Sequence, residues 1–374
     1  MDDMTSNNAH TDEITRRLTE FAKSEIRPRR ETLISSGKFP KDLWTAFAAS
    51  GLAGLTVPAE FGGLGADYTY VSKAGHLLNR IGGVPGAAMM FMSHWLITRL
   101  HIAGDAPPDI KERLLPELSK GDKTISVAIS EPGAGAHAKF LKTTARRDGD
   151  MFVINGEKAY LTNGPIADHF IVLAITKEEE ARKEFSAILV PATTDGLHKT
   201  EGVKIDFLHP CPHGGITMKD CRVPVANMIG TAGKAFARTS LRMRAIEDAV
   251  GAGGQVGSMF CLLDDIATDA PEALAADIGA VATKLLALDV IASRLAVMAD
   301  EAGENVQLLL ELQLGFHQQC QSCANSFGDL LEKMPAPRRP EVDLLYRDIT
   351  KSLNIARNAH AVRLTKIGRA RMNK

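Results

Sequence analysis

Apolar residues recur every three or four positions, then every second position, then every three or four again, so pattern alone divides the chain into three stretches. From about Thr11 to Gly121 the spacing is helical. ITRRLTEFAKSEI sets Ile14, Leu18, Phe21 and Ile26 on one helical face. KFPKDLWTAFAASGLAGL predicts a second helix, with a proline near its start and glycines at its end. PAEFGGLGAD is a glycine-rich loop, and YVSKAGHLLNRIGG, VPGAAMMFMSHWLITRLHIAG and KERLLPELSKGD continue the helical reading.

From Thr124 the period falls to two. TISVAIS puts Ile125, Val127 and Ile129 on one side of a strand. MFVINGEKAYLT contains Asn155-Gly156, a two-residue hairpin signal. HFIVLAIT, SAILVP, VKIDFL and ITMKDCRVP predict further strands. About six strands in roughly 110 residues predict an antiparallel barrel or sandwich. From Gly233 helical spacing returns, with Leu274, Ile278, Val281, Leu285, Leu288, Ile291, Leu295 and Met298 as a long buried stripe. A second helix over Asn305 to Leu331 and a third after MPAPRRPEV complete an antiparallel bundle whose pattern also suits subunit contacts. The expected fold is α+β: residues 1–121 a helical domain, 122–232 a β-domain and 233–374 a bundle of four-helix type.

Charge narrows the partners. The 374 residues carry 44 Lys and Arg against 45 Asp and Glu, so no bulk basic field calls for nucleic acid or membrane lipid. No apolar run reaches the ~18–20 residues of a membrane span, and MDDMTSNNAHTDE lacks the basic-then-apolar order of a signal peptide. Five cysteines suggest no disulfide framework. The expectation is a cytoplasmic protein. Cys320 and Cys323 form a lone CxxC inside a helical pattern, which reads as core packing. The histidines show no spaced metal set, so no metal is expected.

FPKDLWTAFAASGLAGLTVPAEFGGLGAD, LLPELSKGD, ISEPGAGAH, INGEKAYLTNG and MKDCRVPVANMIG occur in the order and approximate spacing of the acyl-CoA dehydrogenases, and the chain resembles that family over almost its whole length. The resemblance implies an FAD cofactor and an acyl-CoA thioester substrate. In that chemistry the α-hydrogen leaves as a proton and the β-hydrogen as hydride to flavin N5, giving the trans-2-enoyl-CoA. Donors are needed where the flavin gains negative charge. The resemblance places Ser130 against the pyrimidine edge, Thr162 facing N5 and Tyr160 near the ring, with Gly133 and Gly135 admitting the cofactor. It also implies an acyl pocket lined from PGAAMMFMSHWLITRL by Met89, Met90, Phe91 and Met92, and substrate contact at Arg244.

The pattern breaks where the chemistry sits. The family's catalytic glutamate has two homes. Counting from Arg347-Asp348, the first falls on Ala356, with Arg357 in place of the following glycine. The second is Met243, directly before Arg244. Losing a positioned base typically costs ~10²–10⁴ in rate. Glu247, one helical turn beyond Met243, is the replacement candidate. The family holds the adenine and pyrophosphate with an Arg-x-x-Phe-Gly segment and a Gly-Gly loop of the neighbouring subunit. IATDAPEALAADIGA has neither arginine nor Phe-Gly, and Glu332-Lys333 replaces the glycine pair. Ala136-His137 replaces the usual Ser-Asp, leaving His137 either as a phosphate donor or as a plain surface histidine. Three readings follow. One is a base-lacking subunit of a hetero-oligomeric dehydrogenase, heterodimer or heterotetramer, whose homologous partner shares or holds the FAD. The others are a self-sufficient dehydrogenase using Glu247, and a protein that binds CoA thioesters without redox chemistry.

Overall fold

The computed structural model describes residues 2–180, 182–303, 306–355 and 357–373. Helices come first: α1 (Asp2–Phe21), α2 (Arg30–Ser35), α3 (Lys41–Ala49), α4 (Tyr68–Gly82), α5 (Pro85–Ile97) and α6 (Pro108–Lys120). Ile14, Leu18, Phe21 and Ile26 are all buried, as their spacing requires. The N-terminus of α4 is capped twice. Asp67 accepts the Tyr70 amide at 2.7 Å, and Asp300, remote in sequence, accepts those of Tyr68 and Thr69 at 2.8 Å each.

The strands follow: β1 (Ile125–Ala128), β2 (Thr144–Asp148), β3 (Met151–Thr162), β4 (His169–Glu179), β5 (Arg182–Pro191), β6 (Leu197–Thr200), β7 (His213–Pro224) and β8 (Met228–Ile229). Their order is β6-β7-β3-β2-β4-β5-β8, with β1 on β4. This sheet corrects the sequence reading in several places. It is mixed, since β1 runs parallel to β4 and β2 meets β4 in parallel. Asn155-Gly156 is no hairpin: β3 runs through it, and the turn is Gly149-Asp150, between paired Asp148 and Met151. The Asn155 carboxamide instead accepts the Asp220 amide on β7 at 2.9 Å. Gly156 sits at a register shift, where a Cβ would lie 2.4 Å from Thr143 Oγ1. VKIDFL forms no strand, because Leu208 turns left-handed (φ 58°) and Asp206 swings out to Lys351 at 2.6 Å. LHKT and TARRD, not read as strands, pair as β6 and β2. In β1, Ser126 and Ala128 are as buried as Ile125, so alternation fails there.

Helices then resume as α7 (Met243–Asp269), α8 (Ala275–Glu301), α9 (Gln307–Lys333), α10 (Pro340–Leu353) and α11 (Arg357–Met372). α7 lies directly along α4 because Gly253 faces it without a side chain; a Cβ there would stand 2.5 Å from the Ser72 carbonyl oxygen. The α8 stripe holds except at Ile291, which is 38 % exposed while Ala292 turns inward in its place. A period of 3.6 after Leu285 and Leu288 selects position 292. One continuous core joins α1–α5 to α7–α10, and two further clusters pack the sheet. Asp265 on α7 ties the halves of that core through ion pairs with Arg30 (2.6 Å), Arg27 (3.3 Å) and Arg339 (3.7 Å). No helix among the described residues is long and apolar enough to cross a membrane.

Candidate functional site

β1 and β3 lie side by side and create a polar rim. The Ala159 amide donates to the Ser130 carbonyl at 2.9 Å, and Ser126 Oγ donates to the Thr162 carbonyl at 2.7 Å. Ser130, Tyr160 and Thr162 are thereby gathered on neighbouring strand ends. Ser130 and Thr162 are half-buried. Tyr160 is a left-handed, non-glycine residue (φ 61°) whose ring is 48 % exposed. A register shift between Lys158 and Leu161 turns it outward, a common use of bulges beside functional sites. Next to it the Glu131–Gly135 turn closes through mutual backbone hydrogen bonds of 3.0 Å. Gly133 (φ 72°) and Gly135 (φ 55°) supply its left-handed corners and face open space. An exposed aromatic plate, strand-end hydroxyls and an open glycine turn fit the edge of a flat heteroaromatic cofactor.

The rest of the predicted set lies elsewhere. Met90 and Phe91, expected to line an acyl pocket, are both fully enclosed. Phe91 stacks on Phe47 at 4.1 Å, and the Met90 carbonyl accepts Asn163 Nδ2 at 2.8 Å, so these residues pack the core under the rim. Met92 is also buried and Met89 is half-buried. Cys320 and Cys323 are buried free thiols whose pKa values burial pushes up, as core packing requires. His137 is exposed against Phe140. Glu332 and Lys333 end α9, with Lys333 held by Asp277 at 2.6 Å.

Ala356 lies outside the described residues. Met243 opens α7, and its sulfur lies 3.4 Å from Nε2 of His101. His101 is fully enclosed, and burial together with the charges of Arg242 and Arg238 pushes it down to about 3. It therefore stays neutral and is a poor proton acceptor near pH 7. Directly after Met243, Arg244 pairs with Asp248, one turn on, at 3.7 Å. Glu247 is exposed on α7, although protein atoms crowd the carboxyl. That crowding raises its carboxyl above the ordinary value, against the pull of Arg244. Asp248 is raised by burial in the same way. Among the described residues, no hydrogen bond or ion pair joins these carboxylates to the rim.

Sequence reasoning passed over His101, Asp248, Asn163 and the buried pair Glu131–Lys158.

Comparison with known proteins agrees with this architecture. Residues 8–122 match the acyl-CoA dehydrogenase N-terminal domain and residues 126–221 the acyl-CoA dehydrogenase middle domain. The chain belongs to the acyl-CoA dehydrogenase family. It is 34 % identical over 218 residues to the cyclohex-1-ene-1-carbonyl-CoA dehydrogenase of Syntrophus aciditrophicus, covering 58 % of this chain and 52 % of that protein. It is 30 % identical over 225 residues to a 3-(aryl)acrylate reductase of Clostridium sporogenes, covering 60 % and 59 %. The matched region thus spans a little over half the length of these relatives. In fold the chain is similar to butyryl-CoA dehydrogenase from Megasphaera elsdenii, with a TM-score of 0.82, 19 % identity and 97 % and 98 % of the two chains covered.

Proposed function

We propose that this chain is the base-lacking subunit of an acyl-CoA dehydrogenase assembled with a homologous, base-bearing chain. The observation that carries the reading is Met243 packed on a neutral, enclosed His101, together with alanine at position 356. Neither position offers a carboxylate to take the thioester α-proton. In this reading Ser130, Thr162 and the Gly133–Gly135 turn hold one edge of FAD, and Tyr160 lies against its ring. Bound there, FAD supplies the hydride acceptor. The α9 end supports a partner's role in holding the cofactor's far portion, since Glu332 and the Asp277-bound Lys333 occupy the glycine-pair positions. Exposed apolar residues on the bundle helices, Leu286 (60 % exposed) and Val290 (72 %) on α8 and Leu308 (61 %) on α9, suit burial against a partner.

The chain purified alone is expected to leave acyl-CoA unoxidised, and to join an active complex when co-expressed with a homologue that has glutamate opposite Ala356. Stoichiometric flavin on the isolated chain, reduced by an acyl-CoA, would sink the subunit reading. The raised Glu247 carboxyl supports one alternative, a self-sufficient dehydrogenase with Glu247 as base. In that case Glu247→Gln would abolish turnover by the isolated chain.

A further inference from the structure

A buried lysine stands behind the rim. Lys158, on β3, has no exposed surface. Its ammonium donates to the Ile129 carbonyl at 3.0 Å and to Glu131 Oε1 at 2.9 Å. The same carboxylate accepts the amides of Lys142 at 2.8 Å and Thr143 at 2.9 Å. Three stretches of chain therefore converge on one ion pair: the end of β1, the entry to β2 and the bulged part of β3. Ser130 lies between the two residues that the ammonium grips. Tyr160, with its costly left-handed backbone, lies two residues beyond the ammonium on the same strand.

Stability alone does not account for a lysine here. A buried ion pair commonly gains little over apolar residues of the same volume, and removing one partner strands the other's charge. An apolar side chain of similar length would fill the space, but it would donate to neither acceptor. What the ammonium adds is direction, because it fixes two acceptors on the residues flanking Ser130 from another strand.

We propose that Lys158 is the positioning residue of the rim: its ammonium, held between the Ile129 carbonyl and Glu131, fixes Ser130 and Tyr160 relative to each other and so shapes the cofactor seat. The cofactor clause rests on the flavin reading above; the clamp does not. Burial pushes the Lys158 ammonium down to about 8 against the attraction of Glu131. For Glu131, burial works upward, but hydrogen bonding from Thr143 and the charge of Lys158 outweigh it and hold the carboxyl below its ordinary value. Among the described residues Glu131 is the charged group acting on the ammonium, and β7 presents the apolar Ile216 opposite. The clamp is thus charged on both sides at pH 7 and loses its positive charge as pH rises through about 8.

Amide hydrogen exchange on the full chain reads the clamp directly. Protection at Lys142 and Thr143, corrected for the intrinsic pH dependence of exchange, should fall as pH rises from 7 to 10. The β5 amides of residues 187–190 should hold. Lys158→Met should lower protection at 142–143 about tenfold at pH 7 and abolish the pH dependence, whereas Lys158→Arg, which stays charged, should keep protection through pH 10. A flat wild-type profile overturns the proposal without any variant having to fold. So does undiminished protection in a folded Lys158→Met protein. In a parallel FAD titration Lys158→Met should bind about tenfold more weakly than wild type, and equal affinity overturns the positioning role. If wild type takes no FAD, alone or with its partner, while exchange responds as described, the flavin reading falls and the clamp stands.

Discussion

Phe91 decides between a core and a pocket. Its ring stacks on Phe47 at 4.1 Å, meets Phe21 edge-on at 5.7 Å and lies 6.2 Å from Trp44, with nothing exposed. Truncating a buried phenylalanine to alanine costs ~3–5 kcal/mol through lost transfer energy and a residual cavity. Part of that is the ~0.5–1.5 kcal/mol carried by each well-placed aromatic pair. With an unfolding entropy of about 2.1 cal/mol/K per residue, a chain of this length unfolding as one unit has ~0.8 kcal/mol/K. Phe91→Ala should therefore lower Tm by ~4–6 °C, read by circular dichroism. Phe91→Leu, which refills most of the volume, should lose much less. A residue lining an open acyl pocket would behave differently, leaving Tm within about a degree and altering acyl-CoA selectivity. That second result would refute the core assignment.

Two other substitutions test the charged groups. Asp265→Asn leaves Arg30 enclosed without its anion, so urea unfolding should show a loss of ~3–5 kcal/mol; near-native stability would mean that the tie of Arg27, Arg30 and Arg339 to α7 is inert. Glu247 is held above its ordinary pKa by burial, so its contribution to stability is fully present below the unfolded value of ~4.3 and lost as pH rises through the folded value. Glu247→Gln should accordingly be more stable than wild type at pH 7, with the difference vanishing below about pH 4. A gain independent of pH would contradict the raised carboxyl.

The helices were legible because burial and period agree. Ile14, Leu18 and Phe21 on α1, and Leu285 and Leu288 on α8, repeat at helical spacing and are all buried. The sheet was less legible because two register shifts in β3 interrupt alternation. They disguise Asn155-Gly156 as a turn and hide the inward face of Lys158. Ser130, Tyr160 and Thr162 could be nominated through the family motifs, and the fold brings them to one rim. For Met90 and Phe91 the sequence could not choose, because an apolar helix reads alike whether it faces a ligand or a core. His101 could not have been found, since only tertiary packing sets it against Met243.

The continuous core of α1–α5 with α7–α10 has a consequence for biosynthesis. The first helices leave the ribosome long before their packing partners exist, because the whole sheet, ending at Ile229, is translated in between. At ~5–20 residues per second that delay is roughly 10–50 s. Throughout it, the nascent N-terminal helices present the α4 face around Ser72 and His76 without α7 to cover it. The sheet, contiguous in sequence, can close first, so chaperone demand should fall on the emerging helices and end when α7 arrives.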